Sequence, residues 1–490
     1  MSLVTITKNA QSAFEQYISY TNQQRADFLE AIAANMESLG DELIDTASQE
    51  TNLPAARLQG ERGRTCFQLR MYAAMLLKGD YVDATIETAV PTKTPPKPDI
   101  RSMYQPMGPV VVFGASNFPF AYSTAGGDTA SALAVGCPVI VKAHPAHIKT
   151  STLVASAIQK AIADFKMPPY VFQHVSAAEL SMNEIDLGKA LVQDEAIAAV
   201  GFTGSRVGGR ALLDYATARK NPIPVFAEMG SVNPVILLED IIATQTEAIA
   251  TQYAGSITLG VGQFCTNPGI LIGVQSKALN DFAHHLANAM KVYTPASMLH
   301  AGIQAAYLKN SKAAIEQKGV CLYTDKNPDA QNAYPVLATV DGATFLANPL
   351  LAEEVFGPYS ILVQCKDLNE LKAVWSSLHG QITTTIMGTD KDLQENKSLV
   401  EKAFLLAGRV VINGVPTGVE VCDSMVHGGP YPASTDSRFT AVGVKAVNRW
   451  LRPVSYQNWP DSLLPSALQN ANPLNINRAI NGQQSKDALS

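Results

Sequence analysis

A cysteine in a glycine-rich segment is the strongest candidate for chemistry in this sequence. Cys265 follows Gly260 and Gly262, and glycine allows backbone conformations and close approaches that other residues resist. Gln263 and Asn267 supply polar groups around the sulfur. Most cysteines are small buried hydrophobes, but a thiol that ionises is a strong nucleophile. We therefore predict a catalytic role for Cys265 and not for the other five cysteines.

Two charged residues stand at the ends of predicted strands. Lys142 ends the apolar run 137–142, and ligands bind at the carboxyl ends of strands in open α/β sheets. Glu228 stands near the end of the run 223–230. A glutamate is usually exposed, whereas a buried one can have a raised pKa and act as a base. Lys142 and Glu228 are therefore site candidates.

A glycine-rich turn over residues 203–210 lies between a predicted strand and a predicted helix. Backbone N–H groups at such a turn can bind a phosphate. The glycine spacing is not GxGxxG, so an ordinary turn is an equally good interpretation of these residues taken alone.

Composition narrows the class of protein. The chain has 490 residues, 47% of them hydrophobic, and a net charge of −6. Without a basic excess we expect no nucleic-acid or membrane partner. The six cysteines are scattered without the spacing of a zinc site or a disulfide framework, so we predict no metal site and a reducing compartment. The first residues lack a signal-peptide pattern, and we expect a cytoplasmic protein.

Helices and strands alternate over most of the chain, which predicts an α/β fold with a mainly parallel sheet. We predict helices over 24–38, 55–77, 122–135, 151–165, 211–218 and 241–259. We predict strands over 108–114, 137–142, 171–175, 197–202, 223–230, 233–238, 353–364 and 408–413. Charged residues are mostly exposed, so we expect Arg57, Glu61, Arg62 and Arg64 to lie in solvent.

Two segments depart from this alternation. Residues 80–105 contain Pro95, Pro96 and Pro98, and we interpret them as a projecting hairpin-like arm. An ordinary surface loop is an equal alternative. The polar last ten residues are predicted to be disordered.

Seven motifs in order resemble the aldehyde dehydrogenase superfamily from about residue 10 to about residue 460. They are 116–119 (SNFP), 141–142 (VK), 202–205 (FTGS), 227–230 (AEMG), 262–265 (GQFC), 353–358 (EEVFGP) and 413–418 (NGVPTG). Further segments resemble the branch with α-ketoglutaric semialdehyde dehydrogenases and NADP-linked fatty aldehyde dehydrogenases. These are 114–119 (GASNFP), 126–133 (GGDTASAL), 142–147 (KAHPAH), 416–421 (PTGVEV) and 427–434 (HGGPYPAS).

The resemblance implies a Rossmann-type cofactor domain, an α/β catalytic domain and a small oligomerisation arm. We assign residues 1–79 and 106–231 to the cofactor domain and 232–451 to the catalytic domain. Residues 80–105 and 452–480 would form the arm and the C-terminal tail. A homodimer or homotetramer is expected, assembled through the arm.

The resemblance also implies the roles of individual residues. The Cys265 thiolate would attack an aldehyde, the side-chain amide of Asn117 and the backbone N–H of Cys265 would hold the oxyanion, and Glu228 would activate water. On the cofactor side the implied residues are Lys142 at the adenosine ribose, Gly204 and Ser205 at the pyrophosphate, Glu354 at the nicotinamide ribose and Phe356 beside the nicotinamide.

The expected cofactor is NADP or NAD. Many NAD-preferring relatives have a glutamate three residues after the lysine, where this chain has Pro145. Arg206 and Arg210 lie in the glycine-rich turn, and the NADP-using fatty aldehyde relatives have an arginine corresponding to Arg210. Because an arginine fork suits a phosphate, NADP is slightly favoured. Two exposed arginines at a helix start are the alternative.

The predicted reaction is oxidation of α-ketoglutaric semialdehyde to 2-oxoglutarate. A medium- or long-chain fatty aldehyde is the alternative substrate, and Phe118, Phe120, Tyr122 and Phe264 could form its apolar funnel or simply pack in the core. A CoA-acylating enzyme and a non-catalytic nucleotide-binding protein are two further readings. The combination of Asn117, Glu228 and Cys265 argues against both.

Overall fold

The computed structural model describes residues 2–324 and 332–489. The α-helices are α1 (Leu3–Tyr17), α2 (Asn22–Ser38), α3 (Gly40–Thr51), α4 (Ala55–Lys78), α5 (Gly127–Ala134), α6 (Ile148–Asp164), α7 (Glu184–Gln193), α8 (Arg206–Thr217), α9 (Glu239–Thr258), α10 (Lys277–Lys291), α11 (Ala301–Ile315), α12 (Gly342–Ala347), α13 (Leu368–Ser377), α14 (Asp390–Glu395) and α15 (Lys397–Lys402). The strands are β1 (Thr85–Glu87), β2 (Ile100–Pro106), β3 (Val110–Phe113), β4 (Val139–Lys142), β5 (Phe172–Val175), β6 (Ala199–Thr203), β7 (Val225–Glu228), β8 (Val235–Leu237), β9 (Ile270–Val274), β10 (Cys321–Leu322), β11 (Val336–Asp341), β12 (Tyr359–Cys365), β13 (Gln381–Met387), β14 (Ala407–Ile412), β15 (Leu451–Gln457), β16 (Arg478–Ile480) and β17 (Gln483–Ser485).

A parallel sheet with the order β5-β4-β3-β6-β7 carries the first half of the chain. Its strands are continuous apolar runs because helices cover both faces. Val110 and Val112 face the core shared with α2, α4 and α6, whereas Val111 faces the core shared with α7 and α8. The predicted α/β fold is therefore confirmed.

The order of this sheet reverses at β3, since β4 and β5 follow on one side and β6 and β7 on the other. Ligands bind in the crevice outside the carboxyl ends of strands at such a reversal. Strand register brings the ends together, because Phe113 pairs with both Lys142 and Phe202, and Thr203 pairs with Glu228. The predicted site segments that follow β3, β4, β6 and β7 therefore all begin at the carboxyl edge of this sheet.

A second sheet, with the order β10-β11-β12-β9-β8-β13-β14, carries the other half. Its strands are parallel except β10, which is antiparallel to β11. α9 and α10 contribute to the apolar core on one face, and α11, α12 and α13 contribute to the core on the other. β14 is an edge strand whose side chains Val410 and Ile412 are 39% and 42% exposed.

The third sheet, with the order β15-β2-β1-β16-β17, joins the proline-rich segment to the C-terminal segment. β1 and β2 are antiparallel, so the predicted hairpin is confirmed. Its tip, residues 91–96, is exposed. β15 pairs with β2 over seven positions, from Leu451 opposite Pro106 to Gln457 opposite Ile100.

Three predicted elements begin five or more residues away from their start in the structure. α5 begins at Gly127, later than predicted, because the extended residue Gly126 packs so tightly that a Cβ there would lie 2.4 Å from the Ala121 carbonyl oxygen. α8 begins at Arg206 because Ser205 caps it. β12 begins only at Tyr359, and the preceding residues form an irregular wall of the site.

Two sequence predictions concern the compartment and the membrane. The six cysteines are all free thiols. Within residues 2–324 and 332–489, no helix has both the length and the apolar character needed to cross a bilayer.

The predicted disorder of the last ten residues is wrong for residues 481–489. Gln483–Ser485 form β17, which pairs with β16. Arg478 is fully buried, and its guanidinium donates to the carbonyls of Gln469, Asn470 and Asp487. The polar composition of this segment suggested disorder. The buried Arg478 side chain orders it through hydrogen bonds to backbone carbonyl groups.

We expect Arg478→Ala to release the C-terminal segment. The substitution leaves buried carbonyl groups without a donor, at a cost of about 1–3 kcal/mol. Hydrogen exchange at residues 483–489 should accelerate at least about tenfold, whereas Lys486→Ala, at an exposed position, should leave it unchanged. Equal protection in the Arg478 variant and the parent would contradict this account.

Candidate active site

A cavity of about 430 Å³ opens at the carboxyl edge of the first sheet. Its lining includes the predicted site residues Asn117, Gly204, Ser205, Glu228, Cys265, Glu354 and Phe356. Lys142 and Arg210 are outside this lining. The residues come from both sheets, so the cavity lies between the two halves of the chain.

The backbone before Cys265 has a conformation that few residues adopt. Gly260, Val261 and Gly262 have φ values of 56°, 58° and 64°. A Cβ on Gly262 would lie 2.2 Å from the carbonyl carbon of Gly357. Glycine is therefore required at position 262 both for its conformation and for this close approach.

A buried asparagine fixes the segment that carries the thiol. Asn233 has a φ of 47° and is fully buried. Its Nδ2 donates to the carbonyl oxygens of Cys265 at 2.8 Å and Asn267 at 2.9 Å. The amide groups of Gln263 and Asn267 donate to backbone carbonyls, so their expected place around the sulfur is wrong and they hold the loop.

Three ionisable groups meet at the wall of the cavity. Cys265 Sγ lies 3.5 Å from His427 Nε2, which lies 2.9 Å from Glu228 Oε1. One polar atom from each residue lies within 4.8 Å of the other two. His427 and Glu228 are 1% and 4% exposed, and Cys265 is partly exposed to the cavity. This arrangement can move a proton between the thiol, the imidazole and the carboxylate.

The electrostatics of the cluster keep the carboxylate charged and the thiol protonated. Burial, and then the charge of Glu228, raise the pKa of Cys265 well above its usual value. Burial also acts to raise the pKa of Glu228, but the interactions with His427 outweigh it and the pKa is lowered. The raised pKa expected for Glu228 is therefore wrong.

His427 is the functional candidate that sequence reasoning missed. It follows Cys265 by 162 positions and belongs to the glycine-rich segment 427–434, which was considered only as part of a resemblance. In the sequence, only the two glycines that follow His427 mark this position. They do not indicate that the imidazole contacts Cys265 and Glu228. The pairing follows from the way residues 433–435 run beside β7.

Asn117 lies across the cavity from this cluster. Its Nδ2 donates to the Gln263 carbonyl at 3.2 Å, two residues before the thiol. Its own carbonyl accepts a 2.8 Å hydrogen bond from Arg57. The side-chain amide of Asn117 is therefore held near the thiol by contacts at both ends of the residue.

Three charged residues of α4 lie against the site, so their expected exposure to solvent is wrong. Glu61 is 5% exposed, and its Oε1 accepts from the backbone N–H groups of Phe120 at 2.8 Å and Ala121 at 3.0 Å. Arg57 and Arg64 are partly buried. Spacings of four and three residues put all three on one face of the helix.

The glycine-rich turn fits a phosphate group. Ser205 Oγ accepts from the backbone N–H of Gly208 at 3.2 Å and begins α8. Gly204, Ser205 and Gly208 line the cavity at the N-terminus of this helix, where unpaired N–H groups favour an anion. The interpretation as an ordinary turn does not account for this position at the edge of the cavity.

The remaining cofactor candidates lie around this turn. Lys142 is 8% exposed and forms an ion pair with Glu184, so a carboxylate does lie beside this lysine although residue 145 is proline. Burial raises the pKa of Glu354 to about 7, and its Oε1 accepts from the backbone N–H of Ser231 at 3.2 Å. Arg210 is exposed and pairs with Asp214 at 2.8 Å.

Comparison with known proteins identifies the family of this chain. The model of the aldehyde dehydrogenase family matches residues 3–445. The chain belongs to this family. It is 48% identical to alpha-ketoglutaric semialdehyde dehydrogenase 2 of Azospirillum brasilense over 97% of this chain and 90% of that protein. It is 44% identical to alpha-ketoglutaric semialdehyde dehydrogenase of Acinetobacter baylyi over 98% of this chain and 91% of that protein.

The fold is also similar to solved structures. Glyceraldehyde-3-phosphate dehydrogenase GapN from Methanocaldococcus jannaschii, complexed with NADP, matches 93% of each chain with a TM-score of 0.77 and 20% identity. This likeness confirms the predicted aldehyde dehydrogenase-like fold.

We expect Glu228→Gln to make the resting thiol more reactive. Removing the negative charge lowers the pKa of Cys265, so more thiolate is present near neutral pH. Iodoacetamide should alkylate Cys265 at least about threefold faster, and the pH profile should shift to lower pH. Glu247→Gln, at an exposed position of α9, is the control. Slower alkylation in the Glu228 variant would mean that this carboxylate activates the thiol before substrate binds.

Proposed function

We propose that this enzyme oxidises α-ketoglutaric semialdehyde to 2-oxoglutarate with NADP or NAD. The observation that carries the chemistry is the cluster of Cys265, His427 and Glu228 at the cavity. The choice of substrate is supported by the two relatives at 48% and 44% identity, both named for this semialdehyde.

Cys265 is the nucleophile in the proposed mechanism. Its thiol gives up its proton to the pair formed by Glu228 and His427 as the sulfur attacks the aldehyde carbon, and a thiohemiacetal forms. The Nδ2 of Asn117 and the backbone N–H of Cys265 then stabilise the oxyanion. Losing one such donor typically reduces the rate by about 10²–10³.

Glu228 serves the second half of the reaction. Oxidation of the thiohemiacetal leaves a thioester on Cys265, which water must hydrolyse. The Glu228 carboxylate, ionised and held beside His427, takes a proton from that water. The acid leaves and the thiol is restored, so CoA is not required as an acyl acceptor.

The cofactor supplies the oxidant, because its nicotinamide accepts a hydride when it is bound. We propose that Gly204 and Ser205 bind its pyrophosphate, Lys142 and Glu354 its two riboses, and that Phe356 packs beside the nicotinamide. Arg210 would attract a 2′-phosphate, whereas Glu184 beside Lys142 opposes it. We therefore propose that both cofactors are used and that NADP is slightly favoured.

We also propose that the chain assembles as a homodimer or homotetramer through the sheet formed by β15, β2, β1, β16 and β17. In this proposal residues 1–79 and 106–231 bind the cofactor, 232–451 form the catalytic domain, and 80–105 and 452–480 form the arm and tail.

β14 offers a second candidate contact, because it is an edge strand of its sheet in the described part of the chain and its side chains Val410 and Ile412 are exposed. Such an edge favours pairing with another chain.

The proposed reaction is tested by initial rates of reduced nicotinamide formation. We expect kcat/KM for α-ketoglutaric semialdehyde to exceed that for decanal and for a short aldehyde, to be higher with NADP than with NAD, and to be independent of CoA. Cys265→Ala should lose at least about a thousandfold in kcat. A higher value for decanal would favour the fatty aldehyde alternative, and an active Cys265 variant would refute the covalent mechanism.

The proposed assembly is tested by deleting residues 92–98 at the tip of the hairpin. If the arm holds the subunits together, light scattering should show a lower mass for the deletion variant than for the parent. Lys93→Ala, a single exposed change in the same segment, should keep the parent mass. An unchanged mass for the deletion variant would rule out the arm tip as the contact.

A further inference from the structure

Three aromatic rings cluster beside Cys265 and His427, and we call Phe118, Tyr122 and Phe264 the aromatic wall. Phe118 makes edge contacts with Phe264 at 5.5 Å and with Tyr122 at 5.4 Å between ring centroids. Phe264 directly precedes Cys265, and the Tyr122 ring lies 6.1 Å from the His427 ring. Phe120, the fourth aromatic of the predicted funnel, is fully buried in the core instead.

Two arginine side chains pack against the rings of the aromatic wall. The Arg57 guanidinium lies 5.1 Å from the Phe118 centroid and 4.9 Å from the Phe264 centroid. The Arg64 guanidinium lies 5.6 Å from the Tyr122 centroid, and its Nη2 donates to the Tyr122 hydroxyl at 3.3 Å. Two guanidinium groups this close to the aromatic wall make the surroundings unfavourable for the aliphatic tail of a fatty aldehyde, which would take water away from these charges.

A third arginine approaches from the catalytic sheet. Arg409 of β14 is partly buried, and it donates to the carbonyls of Gly418 and Pro416. Its charge acts on Cys265 and on Tyr122, and the charge of Arg64 also acts on Cys265. Arg64 lies near the thiol because it contacts Tyr122, whose ring lies 6.1 Å from that of His427. The electrostatic interactions with Cys265 and Tyr122 bring Arg409, from the opposite half of the chain, into the same surroundings.

These guanidinium groups have unused donors. Arg57 Nη1, Arg64 Nε and Arg409 Nε are buried without a hydrogen-bond partner. No carboxylate among the described residues lies within 4.0 Å of the three side chains. The nearest acid on α4, Glu61, accepts from backbone N–H groups of the loop that follows Asn117, and its charge acts on Arg57 and Arg64 without an ion pair within 4.0 Å. Buried N–H donors without a partner are costly, and an anion would offset that cost.

The three arginines differ in how many donors remain. Arg57 holds the Asn117 carbonyl, so it is a positioning residue. Arg64 uses one of its five N–H donors, for Tyr122, in the part of the chain that is described. Arg409 keeps its Nε. Arg64 is therefore the principal candidate for binding an anion, with Arg409 as the second cation.

We propose that Arg64 and Arg409 form the subsite for the terminal carboxylate of the substrate, and that the aromatic wall encloses the carbon chain between this subsite and Cys265. This proposal rests on the proposed oxidation of a semialdehyde and deepens it. A guanidinium recognises a carboxylate with paired, charge-assisted hydrogen bonds, which a neutral aldehyde cannot form. The subsite therefore makes the enzyme select aldehydes that carry an acid at the far end.

The test compares α-ketoglutaric semialdehyde with pentanal, a neutral aldehyde of the same chain length. In Arg64→Gln we expect kcat/KM for the semialdehyde to fall about 10- to 100-fold, mainly through KM. The value for pentanal should fall by at most about threefold, because loss of the Arg64 charge raises the pKa of the Cys265 thiol, and this retained activity also shows that the variant is folded. Arg64→Lys should recover part of the loss because it restores the charge without the fork. Arg70→Gln, on the exposed side of α4, is the matched control.

A second readout does not need turnover. 2-Oxoglutarate should protect Cys265 of the parent enzyme from iodoacetamide, and both Arg64→Gln and Arg409→Gln should weaken this protection at least about tenfold. If the parent enzyme oxidises pentanal better than the semialdehyde, the proposed function fails. If the parent prefers the semialdehyde but Arg64→Gln impairs both substrates equally, or neither, the carboxylate subsite is refuted while the proposed function stands.

Discussion

Burial of the Glu228 carboxylate at the end of β7 is the constraint on which the site depends. A buried charge costs several kcal/mol unless a partner compensates it. That partner is His427, which comes from a segment that returns to the first sheet after the catalytic sheet is complete. The same imidazole approaches Cys265 within 3.5 Å. Closing the two halves of the chain around one carboxylate therefore assembles the nucleophile, the proton acceptor and the base together.

Buried polar side chains fix the loops around this cluster without taking part in the chemistry. Asn233 binds the carbonyl groups of Cys265 and Asn267, and Glu61 binds the backbone N–H groups of Phe120 and Ala121. Each satisfies backbone groups that an irregular loop would otherwise leave unpaired. The loops can consequently be irregular, as the close approach of substrate and cofactor requires, while their positions remain defined by hydrogen bonds.

The proposed cofactor and substrate sides of the cavity differ in the groups that they offer to a ligand. On the cofactor side, backbone N–H groups at the start of α8 favour phosphate with little help from charged side chains, because Arg210 is exposed and pairs with Asp214. On the substrate side, arginine side chains lie behind aromatic rings. Backbone N–H groups can bind the phosphate of a cofactor that many enzymes share. Charged side chains can distinguish substrates that carry a carboxylate from neutral ones.

The sequence left residues 80–105 open between a hairpin and a surface loop, but by itself it determined the α/β class and the positions of Cys265, Glu228 and Asn117 at the ends of strands or in glycine-rich loops. Those features follow from local periodicity and from residue types with special backbone or chemical properties. Only the tertiary structure decided that His427 joins the cluster, that Glu184 pairs with Lys142, and that Arg57, Glu61 and Arg64 face the site. Each of these depends on which distant segments meet, and a charged residue on a helix looks the same in a sequence whether solvent or an active site lies in front of it. The C-terminal strand was missed for a similar reason, because Arg478 orders a polar segment through contacts that composition does not record.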